Sequence, residues 1–370
     1  MDIAFFVPRC TTDNSHGLYV IALALRLAKK HRVEIYSGAF APAVQQNVAC
    51  HLLPVADRPA PMRLATLWTT AKVVTSMRKR FSIVHVQGAD AAVGNVVTAH
   101  YCNAAYAAEP SGAHSWTRRL NVALGSRLEH YCFSKPSTKR IIAVSKGLQD
   151  QIVEHYRVDP TRVSVIHHGI DTVRFAPSSK VARRSAREGF GLRESDFVSL
   201  FVGGDYRRKG LPALLKAIGT LDGNAKLLAV GIEPDQPLRR LLQQDDLEHR
   251  VIFVGRTDDM LSCYAAADCF VLPTRYDTFS LATLEAMACG LPVIVSRAAG
   301  VSEILTDGID SVILDRPEDC DALATQLARL AADESLRAGL GERARRMAER
   351  HSWDHVVAQT EAVYREAIAS

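Results

Sequence analysis

The amino-acid sequence predicts an α/β protein of two doubly wound parallel-sheet domains, and three observations carry that reading. The chain has 370 residues, more than one hydrophobic core usually serves. Short apolar runs of strand length alternate with amphipathic helical patterns, the alternation that builds a parallel sheet covered by helices on both faces. That pattern breaks once, in the polar, basic stretch "DTVRFAPSSKVARRSAREGFG", and then restarts. A linker is therefore expected near Phe175–Phe190, with an N-terminal domain over 1–175, a C-terminal domain over 176–352 and a closing segment over 353–370.

In the first half the expected strands are "IAFFV", "RVEIYS", "SIVHVQG", "NVVTAH", "RIIAVS" and "RVSVIHHG". Between them, "GLYVIALALRLAKKH" and "KGLQDQIVEHY" read as amphipathic helices. In the second half "FVSLFVGG", "AKLLAVG", "RVIFVG", "CFVLPT", "PVIVS" and "SVILD" form a second series, again separated by helices. The chain closes with "SWDHVVAQTEAVYREAIA", a capped amphipathic helix beyond the last strand. Doubly wound sheets gather ligands at the carboxyl ends of their strands, so two such domains facing each other make a cleft.

Composition narrows the function classes. Hydrophobic residues make up 48% and charged residues 23%, ordinary for a soluble globular protein. No apolar run is long enough to cross a bilayer, and "MDIAFFVP" reads as a first strand and not a signal peptide. The eight cysteines are scattered without a CxxC pair, which suggests reduced thiols in a cytosolic protein. Charge is uneven. Residues 1–175 carry 21 Lys and Arg against 11 Asp and Glu; the remainder holds 45−21=24 basic and 40−11=29 acidic residues, so the halves are +10 and −5. A basic first half suggests an anionic partner, a membrane surface or phosphorylated glycan, with plain solvated charge as the alternative. Nucleic acid is not expected, because no recognition motif accompanies the charge.

The chemistry-bearing stretches lie at strand ends. In "YDTFSLATLEAMACGLPVI", Ser280 reads as an N-cap, Leu281, Leu284 and Ala288 fall at helical spacing, and Gly290 and Pro292 end the helix. The free amides at its start make an anion site suited to phosphate, with Asp277 just ahead of it. Glu285, more than a turn deeper, can bind a vicinal diol through both oxygens or simply pair with an Arg or an amide. "GGDYRRKG" follows a strand and offers Arg207, Arg208 and Lys209 beside paired glycines, a place for a diphosphate or an exposed basic loop. Gly17 opens the first long helix, as a turn glycine or to admit a ligand. His100 ends "NVVTAH", in a structural or a catalytic role. Asp319-Cys320-Asp321 is superficially a DxD metal site, but its loop-to-helix position favours a cap. No GxSxG, HExxH, Walker or GxGxxG pattern is present.

Together these residues resemble the retaining family-4 glycosyltransferases of GT-B fold. The acid-x7-acid signature is Asp277 and Glu285. Its companions follow in order: Gly17, "VSKGL", "HHGIDTVRF", "RRKG", "VGRTDDMLSCYAAADCFVLPT", "AAGVSEIL" and "SWDHVVAQTEAVY". The likeness covers essentially the whole chain. "VGGDYRRKG", "HYCNAAYAAEPSG" and "RLNVALGSRLEHYCF" look closer still to bacterial lipopolysaccharide-core glucosyltransferases.

The resemblance implies two Rossmann-like domains across a cleft, with the final helix returning to the first. It implies a nucleotide-sugar donor, UDP and glucose preferred, and a cell-envelope glycan or lipid-linked acceptor. Asp277 would contact sugar hydroxyls and Glu285 the ribose diol. The amides of Thr278, Phe279, Ser280 and Leu281 would hold the distal phosphate and sugar. Arg208 and Lys209 would bind the diphosphate, beside Gly204, and Gly17 would line it from the other domain. His100 would face the transferred sugar, and Arg256 stands where the base-binding loop begins. Transfer with retention and without a metal or other cofactor is implied, by a cytoplasmic monomer or weak oligomer, free or peripheral at the inner membrane face. Three positions depart from the family pattern: Asp277 replaces Glu, Gly204 replaces Arg, and His168 replaces the Asn of "NGxD". UDP-GlcNAc or GDP-mannose as donor, a same-fold epimerase, and a non-enzymatic sugar-binding protein are the competing readings.

Overall fold

A computed structural model describes residues 1–53, 62, 69–70, 73, 76, 80–89, 91, 93–109 and 116–370. The chain divides into two units: Met1–Gly169 with Trp353–Ser370, and Ile170–Ser352.

The first unit holds a seven-stranded sheet of β1 (Asp2–Phe6), β2 (Arg32–Ser37), β3 (Ala49–Leu52), β4 (Ile83–Gln87), β5 (Val96–Ala99), β6 (Arg140–Ala143) and β7 (Val163–Val165). Their order is β3-β2-β1-β4-β5-β6-β7, and every neighbouring pair is parallel. The central strands read as continuous apolar runs because both faces are covered. β3, "ACHL", is absent from the expected strands. It is short, lies at the sheet edge and leaves Ala49, His51 and Leu52 exposed, so pairing with β2 and not local pattern makes it a strand.

The last helix, Trp353–Ala369, belongs to this unit, as expected. Its Trp353, Val356, Val363, Tyr364 and Ala367 join Tyr19, Leu23 and Leu27 of the helix Ser15–Leu27 in one core. Polar contacts tie it down: Arg26 pairs with Asp354 at 2.9 Å and Arg140 with Glu366 at 3.1 Å, and His31 Nε2 lies 2.6 Å from the Glu361 carboxylate.

The second unit holds β8 (Phe197–Val202), β9 (Ala225–Val230), β10 (Val251–Gly255), β11 (Cys269–Leu272), β12 (Val293–Ser296) and β13 (Val312–Leu314). The order is β10-β9-β8-β11-β12-β13, again wholly parallel. Both sheets thus reverse strand order beside their first strand, the topology that places ligands at strand carboxyl ends.

The expected linker needs correcting. The units part at Gly169/Ile170 and not at 175/176, and Lys180–Gly189 is a helix docked into the second unit. Arg187, 1% exposed, explains the docking. Its guanidinium donates to the carbonyls of Ala266, Arg193 and Asp196 at 2.9–3.0 Å and to the Asp268 carboxylate at 2.7 Å. The polar, basic stretch expected to be a linker places one arginine at the centre of a hydrogen-bond network. Among the described residues no helix is long and apolar enough to cross a membrane. All eight cysteines are free thiols.

Candidate functional site

In the second unit the candidate residues collect where β8 and β11 end. Lys209 follows β8 in the turn before the helix Leu211–Gly219. Its ammonium donates to the Val202 carbonyl at 3.3 Å and stands 3.6 Å from the Asp277 carboxylate. Gly203 makes this path possible. Its φ is 146°, and a Cβ there would stand 2.7 Å from Lys209 Cε and Nζ. Of the paired glycines, Gly203 lies beneath Lys209, whereas Gly204 is exposed and approaches the Gly231 carbonyl. Arg208 bonds the Asp205 carboxylate at 3.3 Å and the Tyr276 carbonyl, so it sits one residue from Asp277. Arg207 is exposed and bonded to the Tyr206 hydroxyl at 3.1 Å, leaving Arg208 and Lys209 as the cations beside the acid.

Asp277 is fixed through its backbone, with Gly300 N–H donating to its carbonyl at 2.8 Å. Its side chain accepts from the Phe279 amide at 3.3 Å. Ser280 caps the helix Leu281–Ala288, accepting from the Thr283 amide at 3.4 Å, as its sequence position implies. Its φ of 81° and ψ of 84° are in the left-handed region, which a serine occupies only when the surroundings impose it. The turn is held by Val301 N–H donating to the Phe279 carbonyl at 2.8 Å. This bend presents the start of the helix, Leu281 included, beyond the end of β11.

Glu285 accepts from the Tyr264 hydroxyl at 2.7 Å. Burial raises its carboxyl from the usual 4.5 to about 7, against the opposing pull of the Tyr264 hydroxyl and the Arg174 cation. A carboxyl that titrates near neutrality and keeps an oxygen for a second donor can bind a diol as the carboxylate. Tyr264 and Arg174 are the residues that sequence reasoning missed here. They stand in segments that were recognised, but only packing brings them to Glu285. Arg256 is exposed on the turn after β10.

Gly17 and His100 belong to the first unit. Gly17 N–H donates to the Asn14 cap at 2.7 Å. A Cβ on Gly17 would lie 2.7 Å from Thr11 N and 2.8 Å from Arg9 O, so the glycine admits its own preceding loop. His100 is buried just past β5, its Nε2 bonded to the Gln87 amide oxygen at 2.8 Å. Burial, with His16, His168 and His85 nearby, holds it well below the usual imidazole range, so it is neutral. His168, the departure from the family pattern, stacks on His100 with ring centroids 5.5 Å apart.

Asp319 caps the helix Cys320–Ala332, accepting from Ala322 N–H at 3.0 Å, as its loop-to-helix position implies. Among the described residues no group of three or more His, Cys, Asp or Glu is placed to hold a metal.

Two family models match successive stretches of the chain. "Glycosyltransferase Family 4" matches residues 17–174 and "Glycosyl transferases group 1" matches residues 182–347. The chain belongs to the family-4 glycosyltransferases of GT-B fold. Among curated relatives, the D-inositol 3-phosphate glycosyltransferase of Salinispora arenicola is 32% identical over 62% of this chain and 55% of its own. The chain spans about half the length of the first such relatives. The MMP alpha-(1->4)-mannosyltransferase of Mycolicibacterium hassiacum is 28% identical over 100% of this chain and 99% of its own. Among solved structures, WaaG, a glycosyltransferase involved in lipopolysaccharide biosynthesis, matches with a TM-score of 0.80 at 20% identity, over 97% of this chain and 98% of its own. HepE of Anabaena in complex with UDP-glucose matches with a TM-score of 0.76 at 20% identity, over 98% of each chain. At such identities these structures show the fold alone.

Proposed function

We propose that this glycosyltransferase moves a hexose, glucose favoured, from a UDP-sugar to a cell-envelope glycan or lipid-linked acceptor, with retention and without a metal. The observation that carries the reading is the Lys209–Asp277 pair held between two strand ends, beside a helix start and above a diol-competent Glu285. Lys209 and Arg208 supply the positive charge that a diphosphate needs, and charge-assisted contacts of this kind contribute roughly 1.5–3 kcal/mol each. The amides from Thr278 to Leu281 add the positive end of the helix dipole. The UDP-glucose complex of HepE supports UDP-glucose as donor; the mannosyltransferase relative keeps a mannose donor as the alternative.

In the proposed transfer the bond from the sugar's anomeric carbon to the phosphate oxygen breaks, and a bond from that carbon to the acceptor oxygen forms on the same face. The acceptor's proton passes to the departing phosphate oxygen, so no protein base is required. Asp277 orients the sugar hydroxyls, His100 offers a neutral hydrogen-bonding edge to the sugar, and the cations stabilise the growing phosphate charge. A thermal-shift screen of UDP-, GDP- and ADP-sugars, then NMR of the anomeric product with the best donor, tests the reading. Stabilisation by none of them, or an inverted product, overturns it.

A peripheral membrane location is favoured by the helix Trp116–Ser134. Trp116 is 76% exposed, Leu120 59% and Tyr131 53%, with Arg119 and Arg127 exposed on the same helix. An apolar and cationic face of this kind suits an anionic leaflet. The sequence also carries a basic run at Arg78, Lys79 and Arg80, of which the first two lie outside the described residues. Arg80 is exposed and bonded to Glu34 at 3.3 Å.

A further inference from the structure

We propose that His168 and His16 are positioning residues for His100, three stacked imidazoles forming a column that fixes the ring assigned to the transferred sugar. The role at the sugar rests on the hexosyl-transfer reading; the column itself does not. His100 is the middle ring. His16 stacks on one face with centroids 4.3 Å apart at 25°, and His168 stacks at 5.5 Å and 16°. Tyr19 closes an edge of two of the rings, 5.2 Å from His100 at 83° and 5.4 Å from His168 at 84°. Gln87 holds Nε2, and since the amide oxygen can only accept, Nε2 carries the proton. The stacked faces, the Tyr19 edge and the Gln87 bond leave this ring no rotation that keeps its contacts.

The base of the column is built by distant parts of the chain. Trp353 packs edge-on against His168 at 6.4 Å and against Tyr19 at 5.8 Å. Gly169 allows this approach, because a Cβ there would stand 2.8 Å from Trp353 Cα. An asparagine at 168, the residue of the family pattern, has no ring to stack, so this chain's departure supplies what the column requires.

The titratable groups around His100 are His16 from the first long helix, His168 beyond β7, His85 from β4 and Tyr19. His85 is held at about 3 by burial, bonded to Tyr364 and Thr98 at 2.7 Å each, and Tyr19 is pushed up to about 12. After burial itself, the half-exposed His16 does most to hold His100 low, followed by His168 and His85. The column therefore keeps His100 in one neutral tautomer across the working range.

The test compares His168→Asn and His168→Phe in the full chain. By NMR of ring-labelled histidine from pH 5 to 9, wild-type His100 should stay in the Nε2–H tautomer. In H168N its resonances should move and its titration shift to higher pH, while H168F, which restores a stacking face, should return the ring to its wild-type signals. With UDP-glucose, H168N should lower kcat on the order of tenfold, within the ~100-fold that an ångström of misplacement costs. The donor KM should change less than about twofold, because the nucleotide contacts belong to the second unit. Recovery of kcat in H168F supports the column. An unchanged His100 spectrum in H168N, or a loss of kcat that only follows the folded fraction, overturns it. If the wild-type protein transfers no hexose, the transfer reading fails, while the NMR comparison still decides the column.

Discussion

At the ends of β4, β5 and β7 the first unit gathers packed rings: His100, His168 and Tyr19, with Gln87 among them. At the ends of β8 and β11 the second unit gathers charges, Lys209 against Asp277, with Arg208 beside them. The strand topology is the same, yet the chemistry is opposite. Burial among rings strips a histidine of its proton and leaves a geometric, hydrogen-bonding group. Around Lys209, by contrast, partial burial leaves an ammonium and the Asp277 carboxylate 3.6 Å apart, two opposite charges side by side. Under the proposed function the rings would orient a sugar and the charges would stabilise the negative charge that grows on the leaving group.

If that contrast is right, removing the charge should cost more than disturbing the rings. Lys209→Ala should lower turnover by about 10²–10³-fold, the range seen when one stabilising donor of developing charge is lost. The residual donor binding should also become less sensitive to salt. Initial rates across a potassium chloride series measure both effects, and unchanged rates would return the loop to a merely solvated one.

Glu285→Gln should show a smaller effect with a signature in pH. The carboxyl titrates at about 7 in the folded chain against an ordinary 4.5, so folding favours its protonated form. Its contribution to stability therefore falls as pH rises from 4.5 to 7, and under the proposed diol role of the carboxylate UDP-glucose should bind more weakly below pH 7. The variant should bind UDP-glucose about tenfold more weakly at pH 8, yet melt at a higher temperature than wild type there and gain less at pH 5. Calorimetric titration and melting curves at the two pH values check this; equal gains at both would place the group in solvent.

Smaller again is the expected effect at the surface. Neutralising Arg78, Lys79 and Arg80 together should weaken salt-reversible binding to anionic vesicles, each basic residue contributing about 1 kcal/mol. Cosedimentation independent of lipid charge would leave the basic half an ordinary solvated surface. Least of all should change on adding EDTA: turnover should persist, and a complete loss restored by manganese would overturn metal-free transfer.

Much of this was legible in the sequence. Twelve strands announce themselves as apolar runs, because a parallel sheet covered on both faces needs no polar alternation. The Ser280 and Asp319 caps, and the acid and cations at strand ends, follow from local rules that need only a few residues of context. Tertiary structure decided the rest. β3 exists because β2 offers an edge, and Arg187 is buried because five groups, from the loop before β8, the end of the helix Met260–Ala266 and the turn after it, converge on it. Gly17 is fixed by its own preceding loop and Gly203 by the path of Lys209, contacts that no spacing rule reveals. Most of all, His16, His100 and His168 are scattered along the sequence and stack only because three separate segments meet at the ends of one sheet. Local sequence sets the backbone's preferences and which groups can ionise. The fold alone sets their distances and their access to water, and those decide which of them carry charge.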